Sequence, residues 1–503
     1  MIVLDGASLT LDDLGKIAKG EEKIEISEIN KTKIIKAENY VKKIAEGDVA
    51  VYGINTGFGH LSSVKIDKTE LSDLQKNLLI SHACGVGDIL PKETVRVMMV
   101  LRINAIIQGF SGISLETVLK MVELYNNDVI PVVYEKGSLG ASGDLALLSH
   151  MSLPLLGLGE VIYNNKIMAS SEALKLANIK PLKMLKPKEG LSLINGTQAM
   201  SAIGGLVLLE GFKLYKFANL ALAMTMEALL GVVNAFDPRV HEVRRQVGQI
   251  KAAKEVLSNL KESKNVTSQN EVRVQDAYSI RCAPQVHGAC LDALEHTKNI
   301  LEREINAVTD NPLIFDDEAI SAGNFHGEPL ALVFDYLATA LAELANISER
   351  RLERMVNPHL SGGLPPFLAK NSGTHSGFMI VQYTAASLVS ENKVLAHPAS
   401  VDSIPSSANQ EDHVSMGAIS ARKARAILDN SRKVIAMEMF TAAQAIDLRK
   451  DKGLGEATKK AYEIIRKHIP FIEKDTEMYP YLHIIENLLK DDKFSEEVFK
   501  WIQ

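Results

Sequence analysis

The sequence predicts a mainly α-helical protein, with a long central helical bundle and a smaller mixed N-terminal domain that carries a few short strands. Beyond about residue 190, long stretches lack proline and are rich in Ala, Leu, Met and Glu, which are strong helix formers. Before that point the apolar segments are short and mixed. Aromatic residues make up only 5% of the chain, which suits close packing of small side chains between helices.

The mixed N-terminal domain is predicted to span residues 1-195. Within it, segments 129–133 and 161–163 are short apolar runs with β-branched residues, so they are predicted to be brief strands. Asn164-Asn165 is predicted to turn the chain into a third short segment. The Lys/Pro-rich segment 180–189 is predicted to be a connector.

The second domain, 196-503, is predicted to be a helical bundle with a C-terminal helical cap that begins near Glu456. Its long proline-free segments are predicted helices, namely 198–236, 330–356, 374–395 and 414–448. A helix with apolar residues on most of its faces needs other parts of the protein to cover those faces. Because one chain can hardly cover all of them, we expect a bundle shared between subunits.

Charge and cysteine content exclude several classes of function. The formal net charge is -6, which predicts no nucleic-acid partner and no anionic membrane surface. Cys84, Cys282 and Cys290 are widely spaced and fit neither a disulfide framework nor a zinc site, so they indicate a reducing, cytoplasmic compartment. No polar cluster has metal-ligand spacing, so no metal is expected.

The stretch from Leu191 to Leu209 has no charged residue and is long enough to span a bilayer. It also holds several polar side chains and three glycines. Polar groups are costly in lipid, so this stretch is predicted to be a buried segment of a large core rather than a membrane span.

The loop from Gly137 to Asp144 carries the tripeptide Ala141-Ser142-Gly143. The amide nitrogen of Gly143 can close a five-membered ring on the Ala141 carbonyl carbon, since glycine has no Cβ to prevent the approach. Loss of water from the ring and from the Ser142 side chain would leave an electrophilic C=C bond. Taken alone, such a tripeptide is usually a turn. A serine nucleophile elbow is disfavoured because Asp144 replaces the last glycine of that pattern.

Other polar clusters have ordinary explanations when each is taken separately. A glycine-rich loop, a histidine that caps a helix, an amide cap, an ion pair and a polar helix N-terminus would account for them. They are Y-G-I-N-T-G-F-G from Tyr52, S-H-A-C-G-V-G from Ser81, N-G-T-Q from Asn195, Q-D-A-Y-S-I-R-C from Gln275 and S-A-N-Q-E-D-H from Ser407.

Together with the loop, these clusters resemble the aromatic amino-acid ammonia-lyases that carry a self-made 4-methylidene-imidazol-5-one (MIO) group. The motifs follow the family's order from Tyr52 to about Leu448, with T-D-N-P and G-N-F-H among them. The resemblance implies an MIO formed from Ala141-Ser142-Gly143, with no external cofactor and no metal. It also implies a homotetramer whose active sites are shared between subunits.

The resemblance also assigns roles to the residues at matching positions. Tyr52 would take the substrate β-proton, Arg281 would hold the carboxylate, and Asn195 would position the amine and assist ring formation. The remaining expected site residues stabilise the site or contact the substrate and the prosthetic ring; they are Tyr278, Glu411, His82, Gln275 and Phe325.

Two positions distinguish substrates within the family. His82, preceded by Ser81, stands where relatives that use phenylalanine or tyrosine carry Phe-Leu or His-Leu pairs. Glu411 stands where those relatives usually carry an amide. A carboxylate accepts the N–H of an imidazole but finds no partner in a phenyl ring. The resemblance therefore favours L-histidine as substrate, with trans-urocanate and ammonia as products.

Four alternatives remain open from the sequence. A tyrosine or phenylalanine ammonia-lyase, or a 2,3-aminomutase, would use the same prosthetic group on another substrate. A fumarase-like helical lyase would use a serine base and no prosthetic ring. A non-catalytic helical scaffold would need none of the polar clusters.

Overall fold

The computed structural model describes residues 1–47, 50–57, 66–316, 318–371, 373–449 and 452–500. Within these ranges the chain forms nineteen α-helices and nine short β-strands. The predicted fold class, mainly α-helical with a few short strands in the N-terminal part, is confirmed.

The helices run in chain order through the whole sequence. They are α1 (Leu11–Lys19), α2 (Glu28–Ala45), α3 (Leu71–His82), α4 (Lys92–Ile106), α5 (Leu115–Asn126), α6 (Leu145–Ser152), α7 (Ser170–Leu176), α8 (Glu189–Ile194), α9 (Gln198–Leu229), α10 (Pro238–Arg244), α11 (Val247–Asn259), α12 (Tyr278–Arg281), α13 (Ala283–Glu304), α14 (Glu328–Val356), α15 (Met379–Leu395), α16 (Gly417–Arg449), α17 (Glu456–His468), α18 (Tyr479–Lys490) and α19 (Asp492–Phe499).

The strands form small two- and three-stranded sheets. They are β1 (Ile2–Leu4), β2 (Ile24–Ile26), β3 (Val86–Ile89), β4 (Ile130–Pro131), β5 (Tyr134–Lys136), β6 (Glu160–Tyr163), β7 (Lys166–Ala169), β8 (Leu313–Phe315) and β9 (Glu318–Ile320). β1 and β2 pair in parallel, with Ile2 opposite Ile24. The other pairs, β3–β5, β4–β6, β6–β7 and β8–β9, are antiparallel.

The predicted strand at 161–163 and the turn after it are confirmed. β6 and β7 form a hairpin with Tyr163 opposite Lys166. Asn164 and Asn165, at its tip, have φ values of +50° and +59°, the conformation that a tight two-residue hairpin needs and that Asn tolerates. Segment 129–133 is predicted as one strand, but only its second and third residues pair as β4.

The described residues divide into two compact units, each assembled from three segments. The first unit holds Met1–Leu209, Thr297–Asp335 and Pro398–Arg422. The second holds Glu210–His296, Tyr336–His397 and the segment from Lys423 onward. Four helices, α9, α13, α14 and α16, contribute residues to both units. The predicted boundary between residues 195 and 196 falls inside the first unit.

The apolar stretch 191–209 is almost wholly buried, as predicted, but it is not one helix. α8 ends at Ile194 and α9 begins at Gln198. Asn195 between them has φ -89° and ψ 94°, which is not helical. In the described part of the chain, α14 alone is long and apolar enough to cross a membrane, and 67% of its most apolar window is buried in the fold.

Two predicted helices differ from the structure by five residues or more at one end. α9 ends at Leu229 rather than residue 236, because Leu230 turns into the left-handed region (φ +54°) and Gly231 N donates back to Met226 O at 2.7 Å. α15 begins at Met379 rather than residue 374. The amides of Ser376 and Gly377, just before it, donate instead to the Asp475 carboxylate at 2.8 and 2.9 Å.

Candidate active site

Tyr52 lies in a tight turn that begins at Val51. Val51 N donates to Asn55 Oδ1 at 2.7 Å, and Ile54 N donates to Val51 O at 3.1 Å. Gly53 has φ +72°, and a Cβ there would lie 2.7 Å from a methyl carbon of Leu191. Glycine is therefore required for the turn that presents the Tyr52 side chain. Phe58 and Gly59, which end this motif in the sequence, lie outside the described residues.

The tripeptide loop is held by two close backbone approaches. Gly140 has φ +74°, and a Cβ there would lie 2.2 Å from Ser415 Oγ. Gly143 has φ +71°, and its Cβ would lie 2.2 Å from Gly196 O. Both positions therefore accept only glycine, and Gly143 packs directly against the turn between α8 and α9.

Asp144 anchors the end of the loop. Its amide donates to Gly196 O at 2.8 Å, while its carboxylate accepts from Met200 N at 2.8 Å and from Ser138 Oγ at 2.9 Å. Complete burial raises the pKa of Asp144 to about 6, although the bonds from Met200 and Ser138 lower it. The carboxylate thus connects the loop to the first turn of α9.

Asn195 follows α8 and is 2% exposed. Its Nδ2 donates to Asn311 O at 3.0 Å, whereas its buried Oδ1 has no hydrogen-bond partner among the described residues. A buried amide oxygen without a partner costs free energy. This oxygen therefore has unused capacity to accept a hydrogen bond from a bound molecule.

Ser142, Glu411 and His82 come together although they are far apart in sequence. Ser142 Oγ donates to Glu411 Oε1 at 3.1 Å, and Ser406 Oγ donates to Glu411 Oε2 at 2.7 Å. His82 ends α3, with its Nδ1 3.0 Å from Ser81 Oγ. Burial lowers the pKa of His82, while the Leu78 carbonyl and the Glu411 charge raise it in part.

These side chains line one cavity of about 1000 Å³ within the first unit. The predicted site residues found in its wall are Tyr52, His82, Ser142, Asn195, Phe325 and Glu411. Ala141 and Gly143 flank Ser142 in the loop. Six residues from six separate parts of the chain thus line one cavity, and they offer hydroxyl, carboxylate, imidazole, amide and phenyl groups.

The other three predicted site residues, Gln275, Tyr278 and Arg281, belong to the second unit and are not among those that line the cavity. Arg281 Nε donates to Asp276 O at 3.0 Å, and its guanidinium carbon lies 4.5 Å from the Tyr278 ring centroid. Tyr278 is 70% exposed and Arg281 is partly buried, so the phenol lies at the surface of the chain with the guanidinium against its ring.

Sequence reasoning missed the residues that hold the site residues in place. Met200 N and Gly196 O fix the loop, and the Asn311 carbonyl holds Asn195. Ser406 holds Glu411. Backbone groups carry no side-chain signal, but Asn311 and Ser406 lie in or beside motifs that could have identified them.

The loop fits the ring that its tripeptide would form. A Cβ at position 143 would clash with Gly196. Ser142 lies in the wall of the cavity rather than in the core. Asn195 Oδ1 supplies an uncommitted acceptor in the same wall. Within the described ranges, no group of three or more His, Cys, Asp or Glu side chains is arranged to hold a metal ion.

Comparison with known proteins defines the class. The chain matches the aromatic amino acid lyase family over residues 9–467 and belongs to that family. It is therefore an enzyme of the carbon–nitrogen lyase class, and the family uses the MIO group.

Individual relatives place the chain more narrowly. It is 53% identical over 504 residues to the histidine ammonia-lyase of Alkaliphilus oremlandii, covering 100% of this chain and 99% of that one. The crystal structure of histidine ammonia-lyase from Trypanosoma cruzi matches with a TM-score of 0.91 and 42% identity, covering 100% and 96% of the two chains. Tyrosine aminomutase from Streptomyces globisporus matches with a TM-score of 0.96 at 34% identity, covering 100% and 99%. The fold alone therefore does not separate these substrates.

Proposed function

We propose that the protein converts L-histidine to trans-urocanate and ammonia. The observation that carries the proposal is the position of Ser142 Oγ, the hydroxyl that would leave as water when the ring forms, at 3.1 Å from Glu411 Oε1, in a cavity that His82 also lines. It brings the serine of the ring-forming tripeptide beside a carboxylate suited to an imidazole. The high identity to histidine ammonia-lyases supports the same substrate.

The prosthetic group is proposed to form from Ala141, Ser142 and Gly143. Gly196 O, which binds Asp144 N, and the close packing of Gly143 on Gly196 would hold the ring in the cavity wall. Once formed, the MIO supplies an electrophile that no ordinary side chain provides. No metal and no external cofactor are proposed.

The substrate ring is proposed to lie between Glu411 and His82. The carboxylate accepts one imidazole N–H, and His82, kept neutral at pH 7 by its lowered pKa, offers one donor and one acceptor nitrogen. Phe325 provides an apolar wall. A phenyl or phenol ring would leave Glu411 desolvated without a matching donor.

Elimination breaks a Cβ–H bond and the C–N bond and forms the C=C bond of urocanate. Tyr52 is proposed to take the β-proton, and the unpartnered Asn195 Oδ1 to accept a hydrogen bond from the substrate amine. That amine must be neutral to react as a nucleophile, and an α-amino group is protonated in acid. Activity should therefore fall in acid.

Arg281 is proposed to bind the substrate carboxylate, with Tyr278 and Gln275 beside it. An Arg guanidinium forms two parallel hydrogen bonds to a carboxylate. We propose a homotetramer in which these residues complete the cavity of a neighbouring subunit, in the cytoplasm and without nucleic-acid or membrane partners.

The test is product analysis of the purified protein with L-histidine, L-tyrosine and L-phenylalanine in separate reactions. We expect equal amounts of trans-urocanate and ammonia from histidine and little turnover of the other two. Ser142→Ala should lower the rate by several orders of magnitude, whereas Ser152→Ala, which removes a hydroxyl that donates to the Leu148 carbonyl within α6, should not. A β-amino acid product, or equal rates for wild type and Ser142→Ala, would contradict the proposal.

A further inference from the structure

A cluster of buried charges lies beneath the turn that carries Asn195. Arg102 on α4, Lys188 just before α8, and Asp310 are each at most 1% exposed. Lys188 Nζ donates to Asp310 Oδ2 at 2.8 Å, and Arg102 Nη2 lies 4.0 Å from Asp310 Oδ1. Buried charges are costly even in pairs. Two buried cations beside one carboxylate therefore require an explanation beyond packing.

The Arg102 guanidinium holds this turn from both sides. On the α8 side, Nε donates to Ser192 O at 3.0 Å, and Nη2 donates to the same carbonyl. On the α9 side, Nη1 donates to Gln198 Oε1 at 3.0 Å. A Cβ on Gly196, between these two contacts, would lie 2.4 Å from Nη1. The turn backbone thus lies directly against the guanidinium.

The same turn carries two groups of the candidate site. Gly196 O binds Asp144 N at 2.8 Å, which anchors the tripeptide loop. Asn195 Nδ2 donates to Asn311 O, and Asn311 N donates to Asp310 Oδ1 at 2.7 Å. The cluster therefore contacts both the backbone that carries Asn195 and the residue that holds its side chain.

We infer that Arg102 is a positioning residue for the proposed reaction: it fixes the 195–197 turn so that Gly196 O holds the loop for ring closure while Asn195 keeps its place in the cavity wall. This inference rests on the proposed function. Arg suits the task because its planar fork reaches two acceptors at a fixed angle, whereas the single ammonium of Lys does not. Arg102 itself does not line the cavity.

The test compares Arg102→Met and Arg102→Lys with Arg96→Met. Arg96 lies on the same helix and pairs with Asp128 at 2.7 Å, so the control loses a helix arginine without touching the turn. For each folded variant we would measure the mass of the loop peptide, kcat, KM and Tm. In both Arg102 variants, a fraction of the loop peptide should keep its full mass because the ring has not formed. Their kcat should be about 100-fold lower, as expected for a misplacement of about 1 Å. Arg96→Met should change Tm alone.

Gln198 provides a second pair of variants in case Arg102→Met does not fold. Gln198→Leu removes the acceptor of the hydrogen bond from Arg102 Nη1 and should lower kcat. Gln198→Glu keeps an acceptor for Nη1, so its kcat should lie close to the wild-type value. Folded Arg102 variants with wild-type peptide mass and kcat, or equal losses in the two Gln198 variants, would overturn the role of Arg102. A wild-type peptide that retains both waters would instead overturn the proposed function, and this inference with it.

Discussion

At the scale of single residues, Glu411 is proposed to select the substrate, because its carboxylate lies in the cavity wall, where it accepts hydrogen bonds from Ser142 Oγ and Ser406 Oγ. Glu411→Gln keeps the shape but replaces one acceptor oxygen with a donor. Loss of a charged hydrogen bond to the imidazole should cost about 2 kcal/mol, which lowers kcat/KM for histidine about 30-fold. Steady-state kinetics on histidine would check this.

Asp412→Asn is the matched control for that experiment. It removes a neighbouring carboxylate that is exposed, so kcat/KM should stay near the wild-type value. An unchanged rate in Glu411→Gln, or an equal fall in both variants, would remove Glu411 from substrate recognition.

Asp144 predicts a pH dependence of stability. Its pKa is about 6 in the fold against about 3.9 when unfolded, so between these pH values the folded chain holds a proton that the unfolded chain has lost. The contribution of Asp144 to the free energy of unfolding therefore falls by about 3 kcal/mol in total as pH rises through that window. The measurement is Tm for the wild type and Asp144→Asn at several pH values.

Relative to Asp144→Asn, the wild type should lose stability from pH 4 to 6 and change little above. A difference in Tm that stays constant, or that moves the other way, would show that the carboxyl group is not desolvated as the structure places it.

At the scale of elements, the loop depends on the contact between Gly143 and Gly196. Gly143→Ala would place a Cβ 2.2 Å from Gly196 O at φ +71°, so we expect a displaced loop, no ring and no activity. Gly157→Ala has the same φ of +71°, but its nearest neighbour would be 3.6 Å away. Gly157→Ala should therefore lower the free energy of unfolding only by the cost of a left-handed backbone at a non-glycine residue, about 1–2 kcal/mol.

The loop peptide mass, the activity and Tm separate these two glycine variants. Gly157→Ala should lower Tm and keep both the ring and turnover. If Gly143→Ala also formed the ring, the close packing against Gly196 would not be needed for cyclisation.

How far the sequence predicts the elements depends on whether the signal is local. The Asn164-Asn165 hairpin and the long apolar helices are local patterns, and the structure contains them. The end of α9 depends on Leu230 adopting φ +54°, and the start of α15 depends on Asp475, about a hundred residues away. Neither helix end can be predicted from the residues that surround it in the sequence.

The same distinction applies to the site. The motifs predicted which side chains matter, and the structure places six of them around one cavity. Two of the supports, Met200 N for the loop residue Asp144 and Asn311 O for Asn195, are backbone groups far away in sequence. A backbone group is the same in every residue, so a motif that contains Asn311 does not reveal that its carbonyl lies beside Asn195.

At the scale of the whole molecule, the proposal that subunits share active sites predicts complementation. Ser142→Ala and Arg281→Ala should each be nearly inactive. If Ser142 and Arg281 of one site come from different chains, mixed tetramers should regain about a quarter of wild-type activity, since that share of sites avoids both changes. Co-expression with two affinity tags would isolate the mixed species.

Two variants of one cavity provide the control for complementation. Ser142→Ala and Glu411→Gln both change the first unit of the same chain, so their mixed tetramers should regain much less activity than the Ser142→Ala and Arg281→Ala mixture. Equal recovery in the two mixtures, or none in either, would contradict sharing between subunits.

Ring formation from the tripeptide is tested most directly by the mass of the proteolytic peptide that contains residues 137–144, taken from freshly purified and active protein. We expect a mass lower by two waters than that of the unmodified peptide, and a Ser142→Ala peptide that cannot lose the side-chain water. An active preparation whose peptide keeps its full mass would contradict the account.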